Sequence, residues 1–328
     1  MSQLMGAIQR SIRTTMPMTY ARPLLDQEAI EDFLGKCLSI NDPPQLPGVG
    51  HLSTTDIAKK IRDAESAVRQ TNEEPTLTSK RNRVKKFRDD DARSELRKNI
   101  LTELITLDRL DDDDHLKLGA GGAKPKGADP QPSYQAYIVV GLPASGKSTL
   151  ISRISDELGA VILDSDHAKR KLPEFDNTVA GANLVHKEAG QIVFGGSDNP
   201  SLLGYCIANK FNVVIPKIGQ DFEDIKRLRD ALKHAGYKVH LTATILTRET
   251  ATVRALCRFL KTGRYVPLGL IFDGYANDPL MNYYKERVSA LSSSDWESFG
   301  AISTFATPIS VDDCTSELNP AHLLRSAS

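Results

Sequence analysis

A short glycine-rich run near the middle of the chain has the residue types and spacing of a phosphate-binding loop. It fits the pattern G-x-x-x-x-G-K-[ST] at every fixed position and consists of Gly141, Leu142, Pro143, Ala144, Ser145, Gly146, Lys147 and Ser148. The glycines allow the backbone to curl so that successive N–H groups face phosphate oxygens. The lysine reaches the β- and γ-phosphates, and the serine hydroxyl is placed to ligate Mg²⁺. With Thr149 behind it, the run predicts a site for ATP or GTP with Mg²⁺.

Two carboxylates follow the second predicted strand. Asp164 and Asp166 come directly after the apolar run 160–163. The carboxyl end of a strand beside the phosphate-loop strand faces the crevice in which open α/β sheets bind ligands. A carboxylate there can accept the proton of an attacking hydroxyl. We predict Asp166 as that base and Asp164 as a helper toward Mg²⁺ or the loop; the alternative is that both only cap the next helix.

Three arginines stand close together further along the chain. Arg254 and Arg258 are four residues apart, which places them on one face of a predicted helix. Gly263 is expected to end that helix and to leave Arg264 on a mobile segment. Planar guanidinium groups match the oxygens of a phosphoryl group in transfer, and a segment that closes over a triphosphate also excludes water. A solvated basic helix is the alternative.

The elements around the loop alternate between strands and helices. The runs YQAYIVV, AVILD, NVVIP and KVHLTATIL are predicted as strands, with helical segments between them. This order predicts an α/β fold with a mostly parallel sheet flanked by helices. Upstream of the loop, three runs have apolar residues at helical spacing, most clearly at Leu96, Ile100, Leu104 and Leu107.

Composition divides the chain into four stretches. We predict a helical N-terminal region at 1–117, a linker or mobile loop at 118–134, the phosphate-loop domain at 135–290 and a C-terminal extension at 291–328. The linker prediction depends on the run LGAGGAKPKGADPQPS, which is rich in Gly, Pro and Ala and has no large apolar residue besides Leu118.

The charges do not indicate a nucleic-acid or membrane partner. Lys plus Arg and Asp plus Glu both number 42, so the chain has no global field. Six basic residues in the nine from 80 to 88 could bind a polynucleotide, but Asp89, Asp90 and Asp91 follow and can neutralise them. No apolar run approaches the roughly 20 residues that span a bilayer.

The cysteines and the N-terminus bear on the compartment. Four cysteines without a CxxC pair argue against a zinc site or a disulfide framework and suit a reducing, cytoplasmic setting. The first 24 residues contain Arg10, Arg13 and Arg22 and no acid. A secretion address is therefore one interpretation of this stretch, and a loose N-terminus is the other.

Taken in order, the motifs resemble the zeta-toxin branch of P-loop kinases. The runs GLPASGKSTL, VILDSDHAKRKLPEF, VHKEA, FNVVI, GYKVHL and RALCRFLKTGRYVP carry the resemblance, which covers residues 137–287. It implies a core like that of polynucleotide and chloramphenicol kinases. It also implies that a sugar hydroxyl of UDP-N-acetylglucosamine is phosphorylated with ATP or GTP and Mg²⁺, and that an antitoxin silences the enzyme. A related effector of plant-pathogenic bacteria phosphorylates NAD.

The resemblance also implies roles at single positions. Lys147 and Ser148 take the phosphate and metal roles, and Asp166 takes the role of general base. The arginine roles fall to Arg258 and Arg264, with Arg254 as a competitor for one of them.

Two further positions concern the acceptor. Glu188 falls in the helix that carries a substrate-contacting acid in zeta toxins. After the third strand the chain departs from the family, since Pro216 and Lys217 stand where the family has an acid. This departure makes UDP-N-acetylglucosamine a doubtful acceptor, and Lys217 suits an additional acceptor phosphate, as in a dinucleotide such as NAD.

Three functions are consistent with the sequence. The leading hypothesis is a kinase that phosphorylates a small nucleotide-type metabolite and acts as a toxin or effector. An antitoxin or chaperone is its candidate partner. Its expected location is the cytoplasm, with secretion into a target cell as a variant. A polynucleotide 5′-kinase is the second, with 80–88 as the groove. The third is a non-catalytic, nucleotide-dependent interaction module whose helical N-terminal region binds a partner.

Overall fold

The computed structural model describes residues 21–42, 46–50, 52–71, 75–195, 200–290 and 295–327. Arg10 and Arg13, on which the address interpretation depends, lie outside the described residues. Within the described ranges, no helix combines the length and the apolar character that crossing a bilayer requires.

A sheet, with six strands in the described residues, forms the centre of the molecule in the order β2-β3-β1-β4-β5-β6. The strands are Gln135–Val140 (β1), Val161–Ile162 (β2), Val213–Lys217 (β3), Lys238–Ile245 (β4), Ser298–Ser303 (β5) and Ser310–Cys314 (β6). All neighbouring pairs are parallel except β5 and β6. Parallel strands are buried on both faces, which is why β1 is an almost unbroken apolar run. The predicted α/β class with a mostly parallel sheet is confirmed.

Helices flank the sheet and precede it. They are Gln27–Asp32 (α1), Thr54–Thr71 (α2), Asp90–Thr106 (α3), Lys147–Leu158 (α4), Ser165–Lys171 (α5), Gly181–Leu184 (α6), His186–Phe194 (α7), Leu202–Asn209 (α8), Phe222–His234 (α9), Arg248–Thr262 (α10) and Asp278–Ser289 (α11). Short π-helical turns occur at Phe33–Cys37 and Leu270–Tyr275, and short 3₁₀ segments occur at Lys85–Phe87, Asp113–His115 and Pro320–Ala327.

The predicted N-terminal helices are present, but they belong to two different hydrophobic cores. Leu96, Ile100 and Leu104 of α3 are buried in the core that contains the sheet. Ile57 and Ile61 of α2 are buried in a second core, which they share with α10. The half of the N-terminal region that contains α3 is therefore part of the sheet's core, and the half that contains α2 packs elsewhere.

Residues 118–134 are fixed in place and do not form the mobile loop that their composition predicted. Ala123 is fully buried, and its carbonyl accepts the backbone N–H of Ile162 at 2.9 Å. Gln131 exchanges backbone hydrogen bonds with Gly159 and Asn212 at 2.9 and 2.7 Å. Composition correctly indicated the lack of regular structure, but backbone hydrogen bonds to the sheet order the stretch in its place.

The sheet continues past residue 290, where the sequence predicted an extension. Strand β5 pairs with β4 from Ser298 to Ser303, and β6 lies at the edge. The run SFGAIS escaped prediction because small residues weaken its apolar pattern. Gly300 is needed there, since a Cβ at that position would lie 2.0 Å from the Oδ1 atom of Asn319.

Candidate active site

The phosphate-binding loop connects β1 to α4, and the helix begins at Lys147. Gly146 caps the helix with φ of 83°, a left-handed conformation that glycine adopts without strain. At the other end, a Cβ on Gly141 would lie 2.0 Å from Oγ1 of Thr244, so β4 backs the loop closely. The hydroxyls of Ser145 and Thr244 are 2.6 Å apart and join the loop to that strand.

Lys147 has its ammonium folded back over the loop. Its Nζ atom donates to the backbone carbonyls of Gly141 and Leu142, both at 2.7 Å, and it pairs with no carboxylate of the described residues. Burial of the ammonium lowers its pKa to about 8, against the opposing influence of Asp164. Ser148 and Thr149 are exposed at the start of α4. The ammonium and the serine hydroxyl are thus available to a phosphate and its metal ion.

Asp164 and Asp166 lie at the N-terminus of α5, directly after β2. Asp164 accepts the backbone N–H of Asp166 at 2.8 Å, so the capping alternative holds for Asp164. Asp166 accepts from Nζ of Lys169 at 2.7 Å and from the guanidinium of Arg264.

The environment drives the pKa values of these two carboxyls apart. Burial and the charge of Asp166 raise the pKa of Asp164. Burial acts in the same direction on Asp166, but the charges of Lys169 and Arg264 outweigh it and hold the pKa of Asp166 well below its usual range. Asp166 is therefore the carboxylate that remains ionised and able to take a proton.

Helix α5 is held in place by acidic side chains from the preceding 3₁₀ turn and from α3. Arg170 pairs with Asp114 at 2.6 Å, and Lys171 pairs with Glu103 at 2.6 Å while its own side chain is fully buried. These two pairs fix the helix that carries Asp166.

The three predicted arginines do not all face Asp166. Arg264 contacts it directly, whereas Arg254 donates to the backbone carbonyl of Thr304 at 2.8 Å. Arg258 has a buried Nε atom without a hydrogen-bond partner among the described residues. Burial and the charge of Arg264 lower its pKa to about 10, so the group remains cationic at neutral pH. A buried, charged and unpartnered guanidinium is the donor that an incoming phosphate would use.

The segment after Gly263 is anchored, and the prediction of a mobile segment is wrong. Gly263 ends α10 with φ of 73°, as expected for the last turn of a helix. Tyr265, the residue after Arg264, is only 4% exposed and lies in the second hydrophobic core. Arg264 is therefore held over Asp166 by the chain on which it stands.

Lys217 lies at the carboxyl end of β3, beside the loop. The N–H of Gly141 donates to its carbonyl at 3.2 Å, and its Nζ atom lies 5.0 Å from the ring centroid of Phe194. Burial lowers its pKa to about 8. This placement is compatible with the predicted contact to an acceptor phosphate.

Sequence reasoning missed two side chains close to Asp166. Lys169 stands three residues after Asp166 on the same helix, a spacing that by itself indicates contact. His186 opens α7, where the charge of Lys169 and then burial lower its pKa to about 4, so that its ring is neutral at physiological pH. Nothing in the position of His186 along the sequence indicated that it lies close to Asp166 and Lys169.

Glu188 does not contact substrate, and the structure contradicts that prediction. Its side chain is fully buried, and its two oxygens accept from Arg93 at 2.7 Å each, from Arg97 at 2.6 Å and from Thr76 at 2.6 Å. The carboxylate joins α7 to α3 in the interior of the protein.

A phosphate loop after the first strand of a mostly parallel sheet, with a carboxylate and arginines facing it, defines the class of P-loop phosphotransferases. Residues 122–276, a little under half of the chain, match the family described as Zeta toxin. Members of the family are P-loop kinases that typically use a nucleotide and Mg²⁺.

Solved structures similar to the chain are distant in sequence. A chain of the PezAT chromosomal toxin–antitoxin system of Streptococcus pneumoniae is 18% identical, with 61% of this chain and 79% of that chain covered and a TM-score of 0.41. A chain of the native AvrRxo1-ORF1:ORF2 complex is 13% identical, with 76% of this chain and 74% of that chain covered and a TM-score of 0.43. For the same complex with sulphate ions, the identity is 14%, the covered shares are 71% and 72%, and the TM-score is 0.44. No curated protein matches the chain.

Proposed function

We propose that the protein transfers the γ-phosphate of ATP, or of GTP, to a hydroxyl of a small nucleotide-type metabolite and acts as a toxin or effector. One observation carries the proposal. The ionised Asp166 carboxylate pairs with the Arg264 guanidinium near Lys147 of the loop, whose ammonium donates, among the described residues, to backbone carbonyls alone.

The residues present fit a nucleoside triphosphate with Mg²⁺. Lys147 and the buried Nε atom of Arg258 provide cationic donors that no described carboxylate occupies. The described residues contain no cluster of three metal-ligating side chains. Mg²⁺ needs none in such sites, because it is held by one or two protein groups together with the phosphates. Ser148 and Asp164 are the proposed protein ligands.

The proposed transfer follows from these positions. When bound, Mg²⁺ neutralises charge on the β- and γ-phosphates of the nucleotide. Asp166 accepts the proton of the acceptor hydroxyl as the hydroxyl oxygen bonds to the γ-phosphorus and the bond from that phosphorus to the bridging oxygen breaks. Arg264 leaves Asp166 and, with Arg258, binds the oxygens of the transferred group. The proton then passes from Asp166 to solvent, which restores the carboxylate, and the nucleoside diphosphate departs.

The acceptor is proposed to carry its own phosphate groups. Lys217 lies beside the loop without an ion pair to any described residue, and the charges of both Lys169 and Lys217 act on the ring of His186. Such a cationic surface supports binding of a nucleotide-type acceptor, with UDP-N-acetylglucosamine and a NAD-like dinucleotide as candidates. An antitoxin or chaperone is the proposed protein partner. The proposed compartment is the cytoplasm, either of the cell that makes the protein or of a target cell.

Two of the six basic residues in the run 80–88, the groove of the polynucleotide alternative, are engaged within the chain, and the other four are exposed. Arg83 is buried, donates to the carbonyls of Thr76 and Leu77, and pairs with Asp90 at 2.9 Å. Lys80 pairs with the same aspartate at 2.6 Å. These charges serve internal contacts, as the neighbouring aspartates indicated.

The acceptor is identified by mass spectrometry of metabolites from cells that express the wild type or Lys147→Ala. A species one phosphate heavier than a known nucleotide-type metabolite is expected with the wild type only. Lys285→Ala, which removes an exposed lysine of α11, is the matched control and should behave as the wild type. Absence of such a species, or its presence with Lys147→Ala at the wild-type level, contradicts the proposal.

Lys217→Gln tests the acceptor site separately. We expect the KM for the acceptor to rise about tenfold or more, because a charge-assisted hydrogen bond contributes about 1.5–3 kcal/mol, while the KM for ATP stays near its wild-type value. Lys238→Gln, at the exposed beginning of β4, is the control. A rise in the KM for ATP instead would place Lys217 on the nucleotide side and refute its proposed role.

A further inference from the structure

Residues 248–275, which we call the arginine segment, pack against the N-terminal helices. The segment consists of α10, the stretch with Arg264 and the following π-helical turn. Among the described residues, none of its buried side chains belongs to the core that contains the sheet. They share the second core with α1, α2 and the stretches around them; from the arginine segment these are Ala251, Ala255, Leu256, Phe259, Tyr265, Leu268, Ile271 and Phe272.

Polar contacts fix the same interface at two points. Arg22 pairs with Asp273 through two hydrogen bonds, Nε to Oδ2 at 2.7 Å and Nη2 to Oδ1 at 2.8 Å. Glu65 of α2 accepts the hydroxyl of Tyr265 at 2.8 Å. Glu65 and Tyr265 are almost fully buried, with 2% and 4% of their surfaces exposed.

The Glu65–Tyr265 contact lies one residue away from the site. Tyr265 follows Arg264, so its ring and hydroxyl determine where the backbone of Arg264 runs. Glu65 also forms an ion pair with Arg69, whose Nε atom is 3.6 Å away and has no hydrogen-bond partner among the described residues. The tyrosine hydroxyl is therefore the principal partner of a buried carboxylate, and a contact of this kind tolerates little displacement.

We propose that α1 and α2 form a platform that positions the catalytic arginines, and that the Glu65–Tyr265 hydrogen bond fixes the backbone from which the Arg264 side chain reaches the site. This inference rests on the proposed function. Neither Glu65 nor Tyr265 touches the reacting groups, and both are positioning residues.

The test compares Tyr265→Phe, which removes the donor, and Glu65→Leu, which removes the acceptor, in the full chain. In each, kcat for ATP-dependent transfer is expected to fall by about ten- to a hundredfold, since small misplacement of a catalytic group has effects of this size. The KM for ATP should change less than about twofold, because Lys147 and the loop are untouched. Tyr275 belongs to the same segment, and its hydroxyl makes no hydrogen bond to a described residue. The Tyr275→Phe variant is therefore the control and should keep the wild-type kcat.

Two further measurements separate positioning from a general loss of stability. In the double variant, kcat should fall no further than in either single variant, as expected when two residues act as one unit. Amide hydrogen exchange over 263–268 should be faster in Tyr265→Phe than in Tyr275→Phe. Unchanged kcat and unchanged exchange overturn the inference, and so does a loss of thermal stability with kcat intact.

The proposed function can fail independently. If the wild type does not turn over ATP with any acceptor, the kinase proposal is refuted, and the exchange measurement alone decides whether the contact orders Arg264. If the wild type is active and the two variants match Tyr275→Phe in kcat and exchange, only the positioning role is refuted.

Discussion

Asp166→Asn should reduce kcat for phosphoryl transfer by about a hundred- to ten-thousandfold, the range that general bases contribute. The amide is nearly isosteric with the carboxylate but cannot accept the proton of the acceptor hydroxyl. It also lacks the negative charge that draws Lys169 and Arg264 together at the site. Binding of ATP, measured by calorimetry, should stay near the wild-type level, because Lys147 and the loop keep their contacts.

Asp278→Asn is the matched control for Asp166→Asn, since Asp278 lies exposed in the first turn of α11 and caps nothing with its side chain. It should leave both kcat and ATP affinity unchanged. If Asp166→Asn retained transfer within about threefold of the wild type, or about 0.7 kcal/mol in activation free energy, the assignment of the base would be wrong. Another residue would then have to accept the proton, and the non-catalytic interaction module would be favoured only if the wild type itself transferred no phosphate.

Arg93→Met is expected to lower the free energy of unfolding by about 3–5 kcal/mol, the cost of removing one partner of a buried ion pair. The guanidinium is fully buried and bonds Glu174 at 2.9 and 3.0 Å and Glu188 at 2.7 Å twice. Without it, Glu174 loses its guanidinium partner in the interior, and Glu188 retains Arg97 and Thr76 only. Urea denaturation at neutral pH measures the change as a lower midpoint.

Acidification should narrow the difference between Arg93→Met and the wild type. Burial raises the pKa of Glu188, but Arg93 and its other partners outweigh this and hold the pKa below the usual value of glutamate. A depressed pKa contributes stability above the unfolded-state value, near 4.3, and that contribution is lost as pH falls. The wild type therefore loses more stability than the variant below about pH 4.

The matched control is Arg153→Met, which breaks the partly exposed pair with Glu157 on α4. Such pairs contribute at most about 1 kcal/mol. If the unfolding free energies of the two variants agreed within about 1 kcal/mol, the buried network would not be the stabilising feature described above.

The sequence was most informative where function and structure depend on neighbouring residues. The loop from Gly141 to Ser148, the carboxylates after β2 and the arginines of α10 each form a local pattern, and the strands beside them are continuous apolar runs. The fold class followed from the alternation of these elements. Lys147, Asp166 and Arg264 come together because the loop and both aspartates follow the carboxyl ends of parallel strands, which share one edge of the sheet.

The remaining features depend on contacts between residues that are far apart in the sequence. Glu188 was predicted to face substrate from the family resemblance. Its partner Arg93 stands 95 residues earlier, and nothing local shows that pair. Ala123 is ordered by a hydrogen bond to β2 that composition cannot indicate. The strand β5 contains Gly300 and Ala301, so its pattern is weak although its pairing with β4 is regular.

The division of the N-terminal helices between two cores has a consequence for where an autonomous unit starts. The family match begins at residue 122, after α3. A polypeptide trimmed to that point would keep Glu174 and Glu188 but lose the arginine that neutralises both, and it would uncover the apolar surface on which Leu96 and Ile100 rest. We therefore expect the smallest fragment of this chain that folds by itself to be longer than the region that matches the family.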